Sequence, residues 1–180
     1  MKLIFKELGR DFNRNDFDCG TKSLNDFLRL YALQNLKKNI NVTVVAVSEE
    51  NPTRILGYYS VSMAQVNFEN LPADLGKGIP RYPVPAMRIG RLAVDRPAQG
   101  SGLGGELLGH ALDRALALSQ ELGMCVVLVD AIDENAKRFY EKYGFVSLTH
   151  LPSSLVLPVD TIAEAAGLPG LTRVGRRTSR

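Results

Sequence analysis

Residues 86–123 read AMRIGRLAVD followed by RPAQGSGLGGELLGHALDRALALSQELG, and this stretch decides the fold. AMRIGRLAVD is typical of a β-strand, and a turn with five glycines between residues 100 and 109 follows it. Apolar residues then recur at helical spacing and mark one buried face, at Leu103, Leu107, Leu108, Ala111, Ala115 and Leu118. Gly123 is the expected end of this helix. The stretch therefore predicts a strand, a tight turn and a long helix.

The turn from Gln99 to Gly104 is suited to binding an anion. Backbone N–H groups in the first turn of a helix have no partner within the helix, and the helix dipole adds positive charge there. Glycines let a phosphate approach the backbone closely, so we expect a phosphate-bearing ligand. The alternative is a tight turn that merely requires small residues. A dinucleotide-binding fold is disfavoured because its glycine motif follows the first strand, and a P-loop because no Lys-Ser/Thr pair follows the glycines.

The rest of the chain predicts a mixed α/β sheet of about six to seven strands with about four helices. Asp133 is placed to cap the last predicted helix and Gly144 to end it, and Thr21 or Ser23 is a possible N-cap of the first. Residues 71–85, rich in Gly and Pro, are expected to form a loop. The further strands are expected in residues 2–8, 42–48, 55–66, 125–131, 145–148 and 154–159, and the further helices in residues 17–39 and 133–144.

Size and composition indicate one packed domain. The chain has 180 residues and a mass of 19.8 kDa, with 45% hydrophobic and 23% charged residues, which excludes a wholly disordered chain, a collagen-like repeat and a coiled coil. No apolar run approaches the ~18–20 residues that cross a bilayer, and the N-terminus lacks the pattern of a signal peptide. We expect one domain over residues 1–168, a basic tail over residues 169–180, no membrane partner and a cytoplasmic location.

The cysteines and histidines indicate neither a disulfide scaffold nor a metal site. Two cysteines, Cys19 and Cys125, are too few for such a scaffold. The two histidines, His110 and His150, lie far apart, and no Cys/His cluster has zinc-ligand spacing. We therefore expect no metal cofactor and no Cys–His nucleophile pair.

The net charge of +3 is unevenly distributed. Residues 1–40 carry eight Lys/Arg against five Asp/Glu, residues 77–96 carry five against one, and the last ten residues hold four arginines. This distribution suits a basic patch rather than a uniformly basic surface. Charges scattered over a solvated surface are the alternative.

Two motifs resemble those of the GNAT superfamily of N-acetyltransferases. Gln99, Gly102 and Gly104 match its pyrophosphate-binding pattern Q-x-x-G-x-G. Residues 135–145, NAKRFYEKYGF, match its second signature, an aromatic-rich helix ending in Gly-Phe. The order of the predicted elements also fits the GNAT fold, from the first strand to about residue 158.

The resemblance implies acetyl-CoA as the acetyl donor. It assigns the pyrophosphate to backbone amides of the glycine-rich turn and the pantetheine arm to the strand at residues 91–94, and Asn135 would hold the arm or stabilise its helix. The implied acetyl-CoA-binding residues are Leu92, Ala93, Val94, Gln99, Gly100, Ser101, Gly102, Leu103, Gly104 and Asn135.

Tyr140 matches the family tyrosine near the thioester sulfur. A phenol with a pKa near ~10 is protonated at neutral pH and can donate to the leaving thiolate, so Tyr140 is the expected general acid. Tyr143, three residues further on, is the alternative, although core packing explains it better. No general base stands out, and Glu69, Asp74 and Asp95 are candidates by sequence position alone.

Three segments resemble one branch of this superfamily, the acetyltransferase toxins of type II toxin–antitoxin modules. They are residues 17–28, FDCGTKSLNDFL; residues 90–95, GRLAVD, with the turn that follows; and residues 153–162, SSLVLPVDTI. The resemblance implies acetylation of the α-amine of aminoacyl-tRNA, which stops translation, and neutralisation by a ribbon-helix-helix antitoxin. A homodimer is expected from the resemblance only.

A tRNA acceptor requires cationic contacts to phosphates. The candidates for these contacts are Lys22, Lys37, Lys38, Lys77, Arg81, Arg88, Arg91 and Arg96, and the C-terminal arginines either extend this surface or form a disordered tail. Alternatively these are solvated charges, or Arg88 or Arg91 binds CoA phosphates. The competing functions are acetylation of a small-molecule or protein amine and, without catalysis, a CoA-binding regulator.

Overall fold

A seven-stranded sheet runs through the computed structural model, which describes residues 2–167. Its order is β1-β2-β3-β4-β5-β7-β6, and only the β4–β5 pair is parallel. The mixed sheet predicted from the sequence is thereby confirmed. The strands are β1 (Leu3–Glu7), β2 (Val42–Ser48), β3 (Gly57–Val66), β4 (Val84–Val94), β5 (Val126–Asp130), β6 (Val146–Leu148) and β7 (Leu151–Pro158).

Five helical rods accompany the sheet in the described residues, one more than the sequence predicted. The first is continuous from α1 (Lys22–Asp26) through a π-helical turn (Phe27–Tyr31) into α2 (Ala32–Lys37). Thr21 takes the N-cap position of α1 without a side-chain hydrogen bond. The others are α3 (Ala73–Gly76), α4 (Leu103–Glu121), α5 (Glu134–Lys142) and α6 (Val159–Ala165). No helix in residues 2–167 is long and apolar enough to cross a membrane.

Two predicted boundaries need correction. The loop expected over residues 71–85 contains α3, and β4 begins two residues earlier than expected, at Val84. Pro85 is tolerated at the start of the strand because its carbonyl still accepts a hydrogen bond from the N–H of Cys125 at 2.9 Å. The predicted tail, residues 169–180, lies outside the described residues.

The two faces of the sheet are covered by different elements. Helices α4, α5 and α6 cover one face, called here the α4 face, where Tyr59 and Met87 join the core. The opposite α1 face is covered by the α1–α2 rod and, further along the strands, by the segment that contains Leu71. Tyr58 and Tyr59 are both fully buried but enter opposite cores, as the two-residue period of a strand requires.

Strand β4 carries a bulge at Gly90. Ser60 of β3 pairs with Arg91 and Val61 pairs with Ile89, so Gly90 has no partner on β3. Before the bulge Ile89 faces α4, whereas after it Ala93 belongs to the core under α1. The extra residue therefore directs the side chain of Arg91 to the α1 face, the same face as that of Arg88.

Beyond the bulge β4 and β5 separate. Their parallel pairing runs only from Ala86–Val126 to Ile89–Val129. Residues 91–94 of β4 stay paired with β3 on one edge and have no strand on the other. Backbone groups directed to that open edge are available to an extended ligand.

Candidate active site

A groove of about 750 Å³ fills the gap between the diverging strands. Nine of the predicted acetyl-CoA and catalytic residues line it together, which brings the two sequence motifs onto one site. They are Leu92, Ala93, Val94, Gln99, Gly100, Gly102, Gly104, Asn135 and Tyr140.

The glycine-rich turn closes one end of this groove. Gly100 and Gly102 have φ of 77° and 90°, a left-handed conformation that glycine adopts without steric cost. A Cβ at either position would meet no atom within 4 Å, so the space in front of the turn is open. At the start of α4, the N–H groups of Gly105 and Glu106 both donate to the carbonyl of Gly102. The earlier N–H groups of the turn can bind an anion.

Three of the predicted residues hold the turn through their side chains. The side-chain amide of Gln99 donates to the carbonyls of Cys19 and Val94, at 2.9 and 3.0 Å, and so ties the turn to β4 and to the N-terminal segment. The Ser101 hydroxyl donates to the Ala98 carbonyl at 2.6 Å. The Leu103 side chain is buried in the core under α4. Ser101 and Leu103 are the two predicted acetyl-CoA residues that do not line the groove.

Helix α5 forms the opposite wall. The Asp133 carboxylate caps it by accepting from the N–H of Ala136 at 2.8 Å, as predicted, and Gly144 ends it with φ of 90°. Asn135, in the first turn, is exposed and faces the groove. A Cβ at Gly104 would lie 3.5 Å from the Phe139 ring, so the two walls approach closely here.

Tyr140 is the buried residue of α5. Only 6% of it is exposed, and its ring packs against those of Phe139 and Phe145 with centroids 5.2 and 5.5 Å apart. Burial, and secondarily the charge of Asp130, raises the pKa of Tyr140 to about 12. The phenol is therefore protonated throughout the physiological range.

Tyr143 lies at the end of the same helix and is 40% exposed. Its hydroxyl would be 2.2 Å from a Cβ at Gly105, so it packs against the backbone of α4. This contact agrees with packing as the explanation for Tyr143.

A second, smaller cavity meets the groove at Tyr140. Its volume is about 50 Å³, and it opens on the α1 face between Leu24, Arg91 and Asp130. Tyr140, Leu92, Ile132 and Ala136 line both spaces. Two molecules approaching from opposite sides of the sheet would thus meet at the tyrosine.

Asp130 is the acidic residue that sequence reasoning missed at this junction. Its carboxylate accepts a hydrogen bond from Ser154 Oγ at 2.7 Å and forms an ion pair with Arg88 Nε at 3.3 Å. The available signal was its place at the carboxyl end of the buried strand β5, next to a parallel neighbour, where ligands commonly bind in α/β sheets.

The proposed base candidates lie elsewhere. Asp95 is 2% exposed and holds the N-terminal segment by accepting from the N–H of Asp18 and from Arg54. Asp74 forms an exposed ion pair with Lys77, and Glu69 is an exposed residue of the 3-10 turn Phe68–Asn70. None of the three lines the groove or the small cavity. Residues 2–167 contain no cluster of three His, Cys, Asp or Glu side chains that could hold a metal ion.

The eight basic candidates fall into three groups. Four of them form ion pairs: Lys22 with Asp26, Lys77 with Asp74, Arg88 with Asp130 and Arg96 with Asp18. A fifth, Arg91, places its guanidinium carbon 3.8 Å from the centroid of the Phe27 ring. The other three, Lys37, Lys38 and Arg81, are exposed and form no ion pair within the described part of the chain.

Known proteins match both the sequence and the fold. The profile of the acetyltransferase (GNAT) domain matches residues 41–147. A probable toxin TacT of Sinorhizobium fredii (strain NBRC 101917 / NGR234) is 30% identical in an alignment of 168 residues that covers 87% of this chain and 92% of that protein.

Two solved toxin structures superpose on most of the chain. AtaT complexed with acetyl-methionyl-tRNAfMet has a TM-score of 0.86 and 28% identity, over 92% of this chain and 99% of that one. A tyrosine-to-phenylalanine variant of AtaT, bound to the C-terminus of the antitoxin AtaR and to acetyl-CoA, has a TM-score of 0.78 and 27% identity, over 92% and 98%.

Proposed function

This chain belongs to the GNAT family of acetyltransferases, and we propose that it is a toxin that transfers acetyl from acetyl-CoA to the α-amine of aminoacyl-tRNA. The observation that carries the proposal is the position of Tyr140, which lies where the groove and the small cavity meet. This arrangement suits a reaction between two substrates that enter from opposite sides.

In this proposal the groove binds acetyl-CoA, which is an activated thioester and serves as the acetyl donor. The open space at Gly100 and Gly102 accommodates the pyrophosphate, held by backbone N–H groups from Gln99 to Gly104. The free edge of β4 at Leu92–Val94 binds the pantetheine arm in the manner of an added strand. Asn135 contacts that arm from the opposite wall, which its exposure towards the groove supports.

Tyr140 is the proposed general acid. The acceptor nitrogen bonds to the acetyl carbon while the carbon–sulfur bond breaks, and Tyr140 gives its phenolic proton to the departing sulfur. The nitrogen releases one proton, which restores the phenol, so that the net products are an N-acetyl amine and a thiol. A backbone N–H near Leu92 is proposed to donate to the acetyl oxygen and so to stabilise the charge that develops on it.

The acceptor is proposed to be an aminoacyl-tRNA. An ester at the carboxyl group lowers the pKa of the α-amine, so a strong general base is not required. The relatives support this acceptor, because AtaT was solved with acetyl-methionyl-tRNAfMet. Lys37, Lys38 and Arg81 are the proposed phosphate contacts, since they are exposed and have no ion pair within residues 2–167.

An antitoxin is the proposed protein partner, as in the complex of AtaT with the C-terminus of AtaR. For this chain, a ribbon-helix-helix fold of the antitoxin and a homodimer of the toxin stay predictions from the resemblance. The single domain over residues 1–168 stays a proposal as well.

Mass spectrometry of the modified tRNA tests the function. The purified chain is incubated with acetyl-CoA and a charged total tRNA pool, and nuclease products are searched for N-acetyl-aminoacyl-adenosine. A product that disappears with Tyr140→Phe is the expected result, and its mass identifies the amino acid. Intact acetyl-CoA binding without any product would refute the tRNA acceptor and favour a small-molecule or protein amine.

A further inference from the structure

Asp130 is the one acidic side chain among the residues that line the small cavity. The cavity holds about 50 Å³, room for a group of a few atoms next to Tyr140. A group that enters here from the α1 face has the Asp130 carboxylate on one side and the Tyr140 phenol on another.

The carboxylate retains capacity for a further hydrogen bond. Ser154 and Arg88 engage its two oxygens, one each. An ionised carboxylate offers about four lone-pair sites, so about two remain for another donor. The Asp130 side chain is 44% exposed, so it is accessible to a ligand and is not sealed within the core.

The two existing partners fix the position of the carboxylate. Ser154 lies on β7, directly opposite Asp130 in the strand pairing. Arg88 lies on β4, the neighbour of β5 on its other edge. A hydrogen bond from one neighbouring strand and an ion pair from the other hold the acid at the strand end. Arg88 therefore forms an ion pair with Asp130, and its role as a tRNA contact stays a prediction.

We propose that Asp130 binds the amine of the acceptor, accepting a hydrogen bond from its nitrogen and holding that nitrogen beside Tyr140. This inference rests on the proposed function and deepens it by assigning the residue that selects an amine over other nucleophiles. Ser154 acts as a positioning residue, because it orients the carboxylate through the 2.7 Å hydrogen bond.

The test compares acceptors that differ only in the nitrogen. One pair is an aminoacyl-tRNA and the hydroxyacyl-tRNA of the same side chain, and the other is glycinamide and glycolamide. Binding of all four to the CoA-loaded chain is measured by titration calorimetry. The wild type is expected to prefer the amine of each pair by about 10-fold or more, the size of a charge-assisted hydrogen bond.

Asp130→Asn is expected to reduce this preference to about twofold or less, while acetyl-CoA affinity stays unchanged. Ser154→Ala is a milder change and is expected to reduce the amine preference by about threefold. It provides a second test of the proposal if Asp130→Asn fails to fold. Asp113→Asn, on the exposed side of α4, is the matched control and should keep the wild-type preference. A merely structural role would weaken amine and hydroxyl ligands equally.

The outcomes separate this inference from the proposed function. An Asp130→Asn chain that acetylates tRNA and still prefers the amine overturns the role of Asp130 alone. A wild type that ignores the tRNA pair yet prefers glycinamide refutes the tRNA acceptor, and the loss of that preference in Asp130→Asn then supports the amine site. A wild type that shows no preference in either pair overturns the inference.

Discussion

Replacing Tyr140 by phenylalanine removes one oxygen from the junction of the two cavities and leaves the packing in place. The ring keeps its contacts with Phe139 and Phe145, so the melting temperature should change by about 2 °C or less. Tyr140 lines both cavities, so we expect the loss of its hydroxyl to affect the reaction rather than the core. We expect kcat to fall about 10²-fold or more, the usual contribution of a positioned general acid.

The raised pKa of Tyr140 sharpens this prediction. A phenol with a pKa of about 12 is ionised to about 1 part in 10⁴ at pH 8, whereas an ordinary phenol is ionised to about 1 part in 10². This pKa corresponds to about 3 kcal/mol against forming the phenolate in the unliganded site. The acid must be protonated to act, so ionisation of Tyr140 should cause no loss of kcat below about pH 11.

The assay is the rate of thiol release from acetyl-CoA at saturating acceptor from pH 6 to pH 10, with acetyl-CoA affinity measured separately by calorimetry. Tyr143→Phe on the same helix serves for comparison and should lower kcat by less than about threefold, because its hydroxyl packs against Gly105. An unchanged kcat in Tyr140→Phe, or an equal loss in Tyr143→Phe, would refute the assignment.

Three further predictions concern the turn, the surface and a partly buried histidine. Gly102→Ala should weaken acetyl-CoA binding at least about 10-fold in calorimetry, because alanine disfavours a φ of 90° by about 1–2 kcal/mol and its Cβ enters the open space. The control Gly109→Ala lies inside α4, where a Cβ would meet no atom, and should leave acetyl-CoA binding unchanged. Arg81→Gln should weaken tRNA binding and reduce the magnitude of the slope of log affinity against log salt concentration by about 1. Lys22 is already paired with Asp26, so Lys22→Gln should change this slope less. Equal slopes for the two variants would contradict the proposed tRNA surface. Burial, and secondarily the charge of Arg114, lowers the pKa of His110, so folding favours the neutral ring. The resulting stability is fully present above the pKa of histidine in the unfolded chain, near 6.5, and is lost as the pH falls through the lower pKa of the folded state. Melting temperatures from pH 8 to pH 5 should therefore fall less steeply for His110→Asn, and parallel curves would contradict this.

The local elements and the acetyl-CoA groove could be predicted because their signals are local. The turn requires an unusual positive φ at residues 100 and 102, where glycine stands, and the Asp133 carboxylate caps its helix by accepting from the N–H of Ala136, only three residues further on. Helix α6 was missed because its seven residues follow directly on a strand and give less than two helical turns of pattern. The π-helical turn at Phe27–Tyr31 was missed because its apolar residues keep near-helical spacing.

The acceptor side could not be predicted because it depends on contacts distant in sequence. Asp130 meets Ser154 and Arg88 only because β7 inserts between β5 and β6 and because β4 runs parallel to β5. Charge counting likewise could not show how the basic side chains are paired, since half of the eight candidates form ion pairs with carboxylates that a count along the chain cannot match to them.

The bulge at Gly90 sets the face of the sheet to which each later side chain of β4 is directed, and the composition of the strand does not reveal this. If Gly90 were instead drawn into the regular ladder opposite Ser60, every side chain from residue 91 to residue 94 would move to the other face of the sheet. Arg91 would then be forced among the apolar side chains under α4, and Leu92 would lose the groove to which it contributes a wall. The strand can accept many exchanges of one side chain for another, but as long as it contains Gly90 this residue must stay unpaired, because that sets which later side chains face the groove and which face the α1 side.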